Sequence, residues 1–147
     1  MSTSVTAEQR NQETFNRFME SLLTKDLAAM QACFKANAHW HLPKSCHGKP
    51  YQDPISAEGI VAMLTDSPDK IYQPETIEVI PEVLVVGEQN AAFQFRNTCT
   101  AANGKSYDNR YVMVFGFEDG LITDVWEHLD TLYLDQVVDL NSYATQD

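Results

Sequence analysis

The chain has 147 residues, enough for one domain with a substantial core, and its 44% hydrophobic and 10% aromatic content is too rich for disorder. Ten basic against 21 acidic residues give a formal net charge of −11, a surface that repels phosphate backbones and anionic membranes, so neither nucleic acid nor a membrane is an expected partner. The three cysteines, Cys33, Cys46 and Cys99, show no paired spacing and read as free thiols of a reducing compartment. The N-terminus runs into polar residues, and no stretch reaches the roughly 20 apolar residues that span a bilayer, so the expected location is the cytoplasm.

Helical periodicity comes first. Phe15, Phe18, Met19, Leu22 and Leu23 fall on one stripe at spacings of three and four, and Thr6 with Gln9 forms a capping-box pattern that starts the helix. The stretch 24–26 ends it, and Asp26 caps a short second helix carrying Leu27, Met30 and Phe34. Residues 38–42 read as a brief strand stopped by Pro43. A loop rich in Gly and Pro follows, and Ser56 opens a third helix with Ile60, Met63 and Leu64 facing inward, ended by Asp66, Ser67 and Pro68.

From Ile77 onward the period is two. One strand carries Ile77, Val79, Val83 and Val85, with Pro81 demanding a bulge or an edge position. Residues 91–102 form a second strand, Asn103-Gly104 a hairpin turn, 106–117 a third strand, 118–120 a tight turn and 121–130 a fourth. Residues 132–140 fit a short closing helix or an extended tail. Helices followed by a meander of long strands imply an α+β fold, in which a bent sheet covered by helices on its concave face encloses a pocket. The whole of 1–147 reads as a single domain with flexible ends at about 1–6 and 141–147.

This order of elements, together with the closing pattern Tyr107, Tyr111-Val112-Met113-Val114-Phe115, Asp119-Gly120-Leu121-Ile122 and Trp126-Glu127-His128-Leu129-Asp130, resembles the NTF2-like superfamily. Within it, the chain is similar to the SnoaL-like polyketide cyclase and ketosteroid-isomerase-like branch. The resemblance implies a cone-shaped fold, a ligand-sized cavity and homodimers. It does not carry over the isomerase machinery. The three ketosteroid-isomerase positions hold Phe18, Leu42 and Met113, none of which moves a proton. The Asp–Arg–Asp set of limonene-epoxide hydrolases aligns with Gln94, Arg96 and Glu127, which breaks that set as well.

Strand alternation puts Gln94, Arg96, Thr98 and Thr100 on one face, opposite Phe93 and Phe95, and puts Thr123, Val125, Glu127 and Leu129 together on another strand. In the register that the resemblance implies, Arg96 and Glu127 both face the cavity. Glu127 is then the general acid or base, and Arg96 its partner or an anchor for a substrate oxyanion; a structural ion pair is the competing reading. Phe18, Trp40, Leu42, Gln94, Asn109, Tyr111 and Met113 are expected to line the pocket, with His47 reaching over its mouth beside Gly48. His39, His41, Cys46 and His47 invite a metal reading, but no carboxylate sits at regular spacing, and the two strand histidines are expected to point outward with Trp126, His128 and Asp130. No nucleophile triad or nucleotide fingerprint is present. Two functions follow: cofactor-free acid–base catalysis on a small carbonyl- or hydroxyl-bearing molecule, or a non-catalytic binding or assembly module.

Overall fold

The computed structural model describes residues 4–46 and 54–139. Helix α1 (Ala7–Thr24) opens with the capping box seen in the sequence: Gln9 N–H donates to Thr6 Oγ1 at 3.1 Å, and Thr6 N–H donates to Gln9 Oε1 at 2.9 Å. It stops at Lys25, whose φ of +54° turns the chain out of the helix. Asp26 caps α2 (Leu27–Ala32), accepting from Ala29 N–H.

Strand β1 runs Phe34–His41, so it starts four residues before the expected strand, and Phe34 belongs to it rather than to the second helix. The reason is burial. Phe34 and Ala38 are both buried, and Phe34 pairs with Ile122 in the sheet, an apolar contact that outweighs its place in the helical pattern.

After β2 (Ile55–Ser56), helix α3 (Ala57–Ile71) also overruns its predicted stop. It passes through Pro68 and closes another turn, with Tyr72 N–H donating to Pro68 O at 2.9 Å. The proline removes one backbone donor, while the buried Ile60 and Met63 hold the helix against the rest of the fold.

Strands β3 (Glu78–Val86), β4 (Asn90–Thr100), β5 (Ser106–Glu118) and β6 (Leu121–Leu129) form the expected meander, and α4 (Thr131–Val138) settles the closing segment as a helix capped by Asp130. At the β5–β6 hairpin both turn residues, Asp119 and Gly120, have positive φ, which matches the strand twist. Loose ends are expected in segments that lie largely outside the described residues, at 1–3 and 140–147.

The six strands form one curled, open sheet in the order β2-β1-β6-β5-β4-β3, antiparallel throughout except where β1 runs parallel to β6. Strand β3 is an edge, and its register slips between Pro81 and Val83, as a proline without an N–H requires. Inner-face side chains meet α1 in an aromatic cluster: Phe15 and Phe18 stand edge-on to Phe115, with ring centroids 5.5 and 6.0 Å away. Each such ring contributes about 1.5–3 kcal/mol through burial. This cluster packs α1 onto the inner face of the sheet.

Candidate functional site

Between the inner face of the sheet and helices α1 and α3 lies a cavity of about 440 Å³, in the range that holds a small organic molecule. Its walls are mostly apolar: Phe18 and Leu22 from α1, Met63 and Leu64 from α3, Trp40 and Leu42 at the end of β1, and Phe93, Phe95, Met113 and Leu129 from the sheet. Phe18, Trp40, Leu42, Tyr111 and Met113 are all among the lining residues.

Glu127 lines this cavity on β6, directly across from Met113 of β5. Trp40 Nε1 donates to Glu127 Oε2 at 3.0 Å. Burial pushes its pKa up from the ordinary carboxylate value; the Trp40 donor, which favours the charged form, opposes the shift without cancelling it. A carboxyl of this kind holds a proton at a pH where an exposed one has lost it, and takes one back readily.

Arg96 and Gln94 do not join it. The alternation along β4 is as predicted, but the inward face is the other one: Ala91, Phe93 and Phe95 are buried under the helices, and Gln94 and Arg96 lie on the outer face. Two phenylalanines gain several kcal/mol from burial, whereas a buried guanidinium costs desolvation, so the apolar pair decides the register. Outside, Arg96 makes a bidentate bridge to Asp108 at 3.1 and 2.6 Å. Arg110 makes another to Glu82 at 2.7 and 2.9 Å, and Gln94 also donates to Glu82.

Asn109 is on the inner face but is buried rather than open to the cavity. Its amide is fully engaged: Nδ2 donates to the Tyr107 hydroxyl at 2.9 Å and to Asp130 O at 3.0 Å, and Oδ1 accepts from Arg110 N–H at 2.9 Å. His47 lies outside the described residues.

Two groups were not foreseen as site residues. Tyr72, following α3, and Tyr107, on β5, join Tyr111 in a cluster of phenols: Tyr107 and Tyr111 hydroxyls are 2.7 Å apart, and Tyr72 and Tyr111 hydroxyls 3.5 Å. The spacing of four between Tyr107 and Tyr111 places them on one face of a strand, a readable signal; Tyr72 arrives through tertiary folding and leaves none.

The strand residues His39, His41 and His128 lie on the outer face. His41 Nε2 lies 2.9 Å from Asp124 Oδ1, and its ring stacks on Trp126 at 5.1 Å. Among the described residues no group of three or more His, Cys, Asp and Glu side chains is gathered as a metal site. Cys46 instead lines the cavity, its thiol pushed up in pKa by burial.

Glu127→Gln keeps the shape and an acceptor for Trp40 but removes the cost of charging the site. The folded carboxyl binds its proton more tightly than the unfolded one, whose reference value is 4.5, so its contribution to stability is full below that value and is lost as pH rises through the raised folded pKa. Calorimetric unfolding should therefore give matching Tm values for variant and native protein below about pH 4, and a variant increasingly the more stable towards neutrality. A difference that does not change with pH contradicts the raised carboxyl.

The family model described as the SnoaL-like domain matches residues 15–125. No match is found among curated protein sequences. Among solved structures, an NTF2-like protein of unknown function from Burkholderia pseudomallei superposes with a TM-score of 0.77 at 18% identity, covering 88% of this chain and 97% of its own. TerC co-crystallised with polyporic acid gives 0.76 at 14% identity, over 88% of this chain and 98% of its own. A protein proposed to be a SnoaL-like polyketide cyclase, from Jannaschia sp., gives 0.75 at 16% identity, over 94% and 97%. At these identities the structures share the fold alone, whereas the family model spans most of the sequence: the chain belongs to the SnoaL-like domain family of the NTF2-like superfamily.

Proposed function

We propose that this protein binds a small, largely apolar molecule bearing a carbonyl or hydroxyl group and catalyses cofactor-free acid–base chemistry on it, with Glu127 moving the proton. One observation carries the reading: a carboxyl with an elevated pKa opens into a mostly apolar cavity of about 440 Å³, held by the Trp40 donor and, among the described residues, with no arginine paired to it as a static ion pair. Proton abstraction next to a carbonyl is the shared first step of isomerisation, aldol-type cyclisation and dehydration. The apolar walls select the body of the ligand, and the carboxyl selects the carbon that is deprotonated.

Deuterium exchange tests this without knowledge of the product. A panel of cyclic and aryl ketones small enough for the cavity is incubated with the protein in heavy water, and loss of α-C–H signal is followed by NMR. At least one ketone should exchange faster than in buffer, and Glu127→Gln should slow that exchange by about 10²–10⁴-fold. Saturable ligand binding with no exchange anywhere in the panel would instead favour a non-catalytic binding module.

The outer face of the sheet supports a second reading, a homodimer in a reducing compartment such as the cytoplasm. Trp126 (36% exposed), Val83 (50%) and Val85 (61%) lie on this uncovered surface, and all three cysteines are free. Sedimentation velocity should show a dimer that Trp126→Glu converts to monomer; a native protein that is already monomeric at micromolar concentration refutes it.

A further inference from the structure

Helix α3 is anchored near its two ends and held by little in between. It packs on β1, β2 and α2, and its buried residues Ala57, Ile60 and Met63 all lie in the first half. Just past its last turn the chain is pinned to the β4–β5 hairpin. Tyr72 bridges Ala101, Ala102 N–H donates to Ile71 O at 2.8 Å, and Gln73 N–H donates to Thr100 O at 2.9 Å. From Thr65 to Ile71, in contrast, no described residue is buried. The backbone is weak in the same stretch. Pro68 offers no N–H to the Leu64 carbonyl and crowds it, and Thr65 Oγ1 donates to Val61 O at 2.8 Å, a back-bond of the kind that bends helices. This stretch borders the cavity: Thr65, Pro68 and Asp69 line it, as do Leu22, Leu23 and Lys25 at the end of α1. Leu23 is 78% exposed, and Lys25 and Asp69 are exposed as well, so the cavity meets solvent between these two helix segments. Its inner end is marked by Phe18 and Trp40, both fully buried, the latter bonded to Glu127.

We propose that residues 65–71 of α3 are a strap across the mouth of the cavity, which bows outward about the Pro68 turn to admit a ligand and closes over it. The proposal rests on the reading of the cavity as a small-molecule site, and it adds the route in and the step that limits exchange. Opening this stretch forfeits little burial, and the bond that an unbroken helix makes from residue 68 to Leu64 O is missing from the start. Both ends stay fixed during the motion, so the sheet register and the Trp40–Glu127 bond survive it. Segments of low local stability set between firm anchors are where ligand-admitting motions arise.

The test is stopped-flow mixing with N-phenyl-1-naphthylamine, a neutral dye that fluoresces on leaving water. Pro68→Ala supplies the missing donor and stiffens the strap, so it should slow both association and dissociation of the dye by about three- to tenfold, the scale of one backbone hydrogen bond. Lys70→Gly loosens the strap at an exposed position that does not line the cavity. It should speed both rates by about three- to fivefold and leave Kd unchanged. Hydrogen exchange in the ligand-free protein gives a second readout: the amides of Asp69 to Ile71 should exchange about tenfold or more faster than those of Val61 to Leu64, and Pro68→Ala should narrow the gap. Circular dichroism confirms that each variant is folded. Rates that neither variant moves overturn the proposal, as do a Pro68→Ala effect on dissociation alone, a dye that does not bind, or even protection along α3. If native protein exchanges no ketone α-proton yet the dye kinetics respond as expected, the Glu127 reading falls and the strap stands; ketone exchange with unresponsive dye kinetics has the opposite meaning.

Discussion

The alternation of side chains across one curled sheet governs everything else in this molecule. Once Phe93, Phe95 and Phe115 turn inward to meet α1, the parity of every neighbouring position is fixed through the β4–β5–β6 register. That parity carries Glu127 inward with Met113 and Tyr111, and it carries Arg96, Arg110, Asp108 and Glu82 outward. Among the described strand residues that line the cavity, Glu127 is the only carboxylate. A group so placed costs stability whenever it is charged, and the Trp40 bond offsets only part of that cost. Sites of this kind persist in folds where the destabilised group does something.

The two arginine bridges on the outer face follow from the same constraint. On a chain with a net charge of −11, Arg96 and Arg110 are matched to carboxylates in bidentate pairs at the surface rather than turned toward the interior acid. The cavity lining holds the Glu127 carboxyl together with Tyr72 and Tyr111, and Lys25 and Asp69 belong to it as well.

Much of the fold was legible in the sequence, because local signals and global structure agree there. Thr6 and Gln9 cap the first helix, Asp26 the second, Asp119-Gly120 makes the last hairpin, and Pro81 forces the slip in the edge strand. The misreadings have physical causes. Pro68 stops a helix only when nothing beyond it packs, and Phe34 changes element because a sheet partner outweighs a helical stripe. For the site, strand parity groups Tyr111 with Met113, whereas the inward placement of Glu127 and Trp40 comes from the register that the resemblance implies. Arg96 and Gln94 were placed by resemblance against the plain evidence of two adjacent inward phenylalanines. Tyr72 reaches the site through a connection after α3, and no pattern of period two or 3.6 announces such a residue.

The central claim is that a solvent-withdrawn carboxyl stands ready to exchange a proton in the cavity. Carbon-detected NMR of the Glu127 side chain, followed across pH in the native protein, measures this directly. The account predicts a midpoint clearly above the ordinary value of about 4.3, rising further when Trp40→Phe removes the donor that favours the charged form. A midpoint at or below that value, unmoved by the tryptophan replacement, would contradict it.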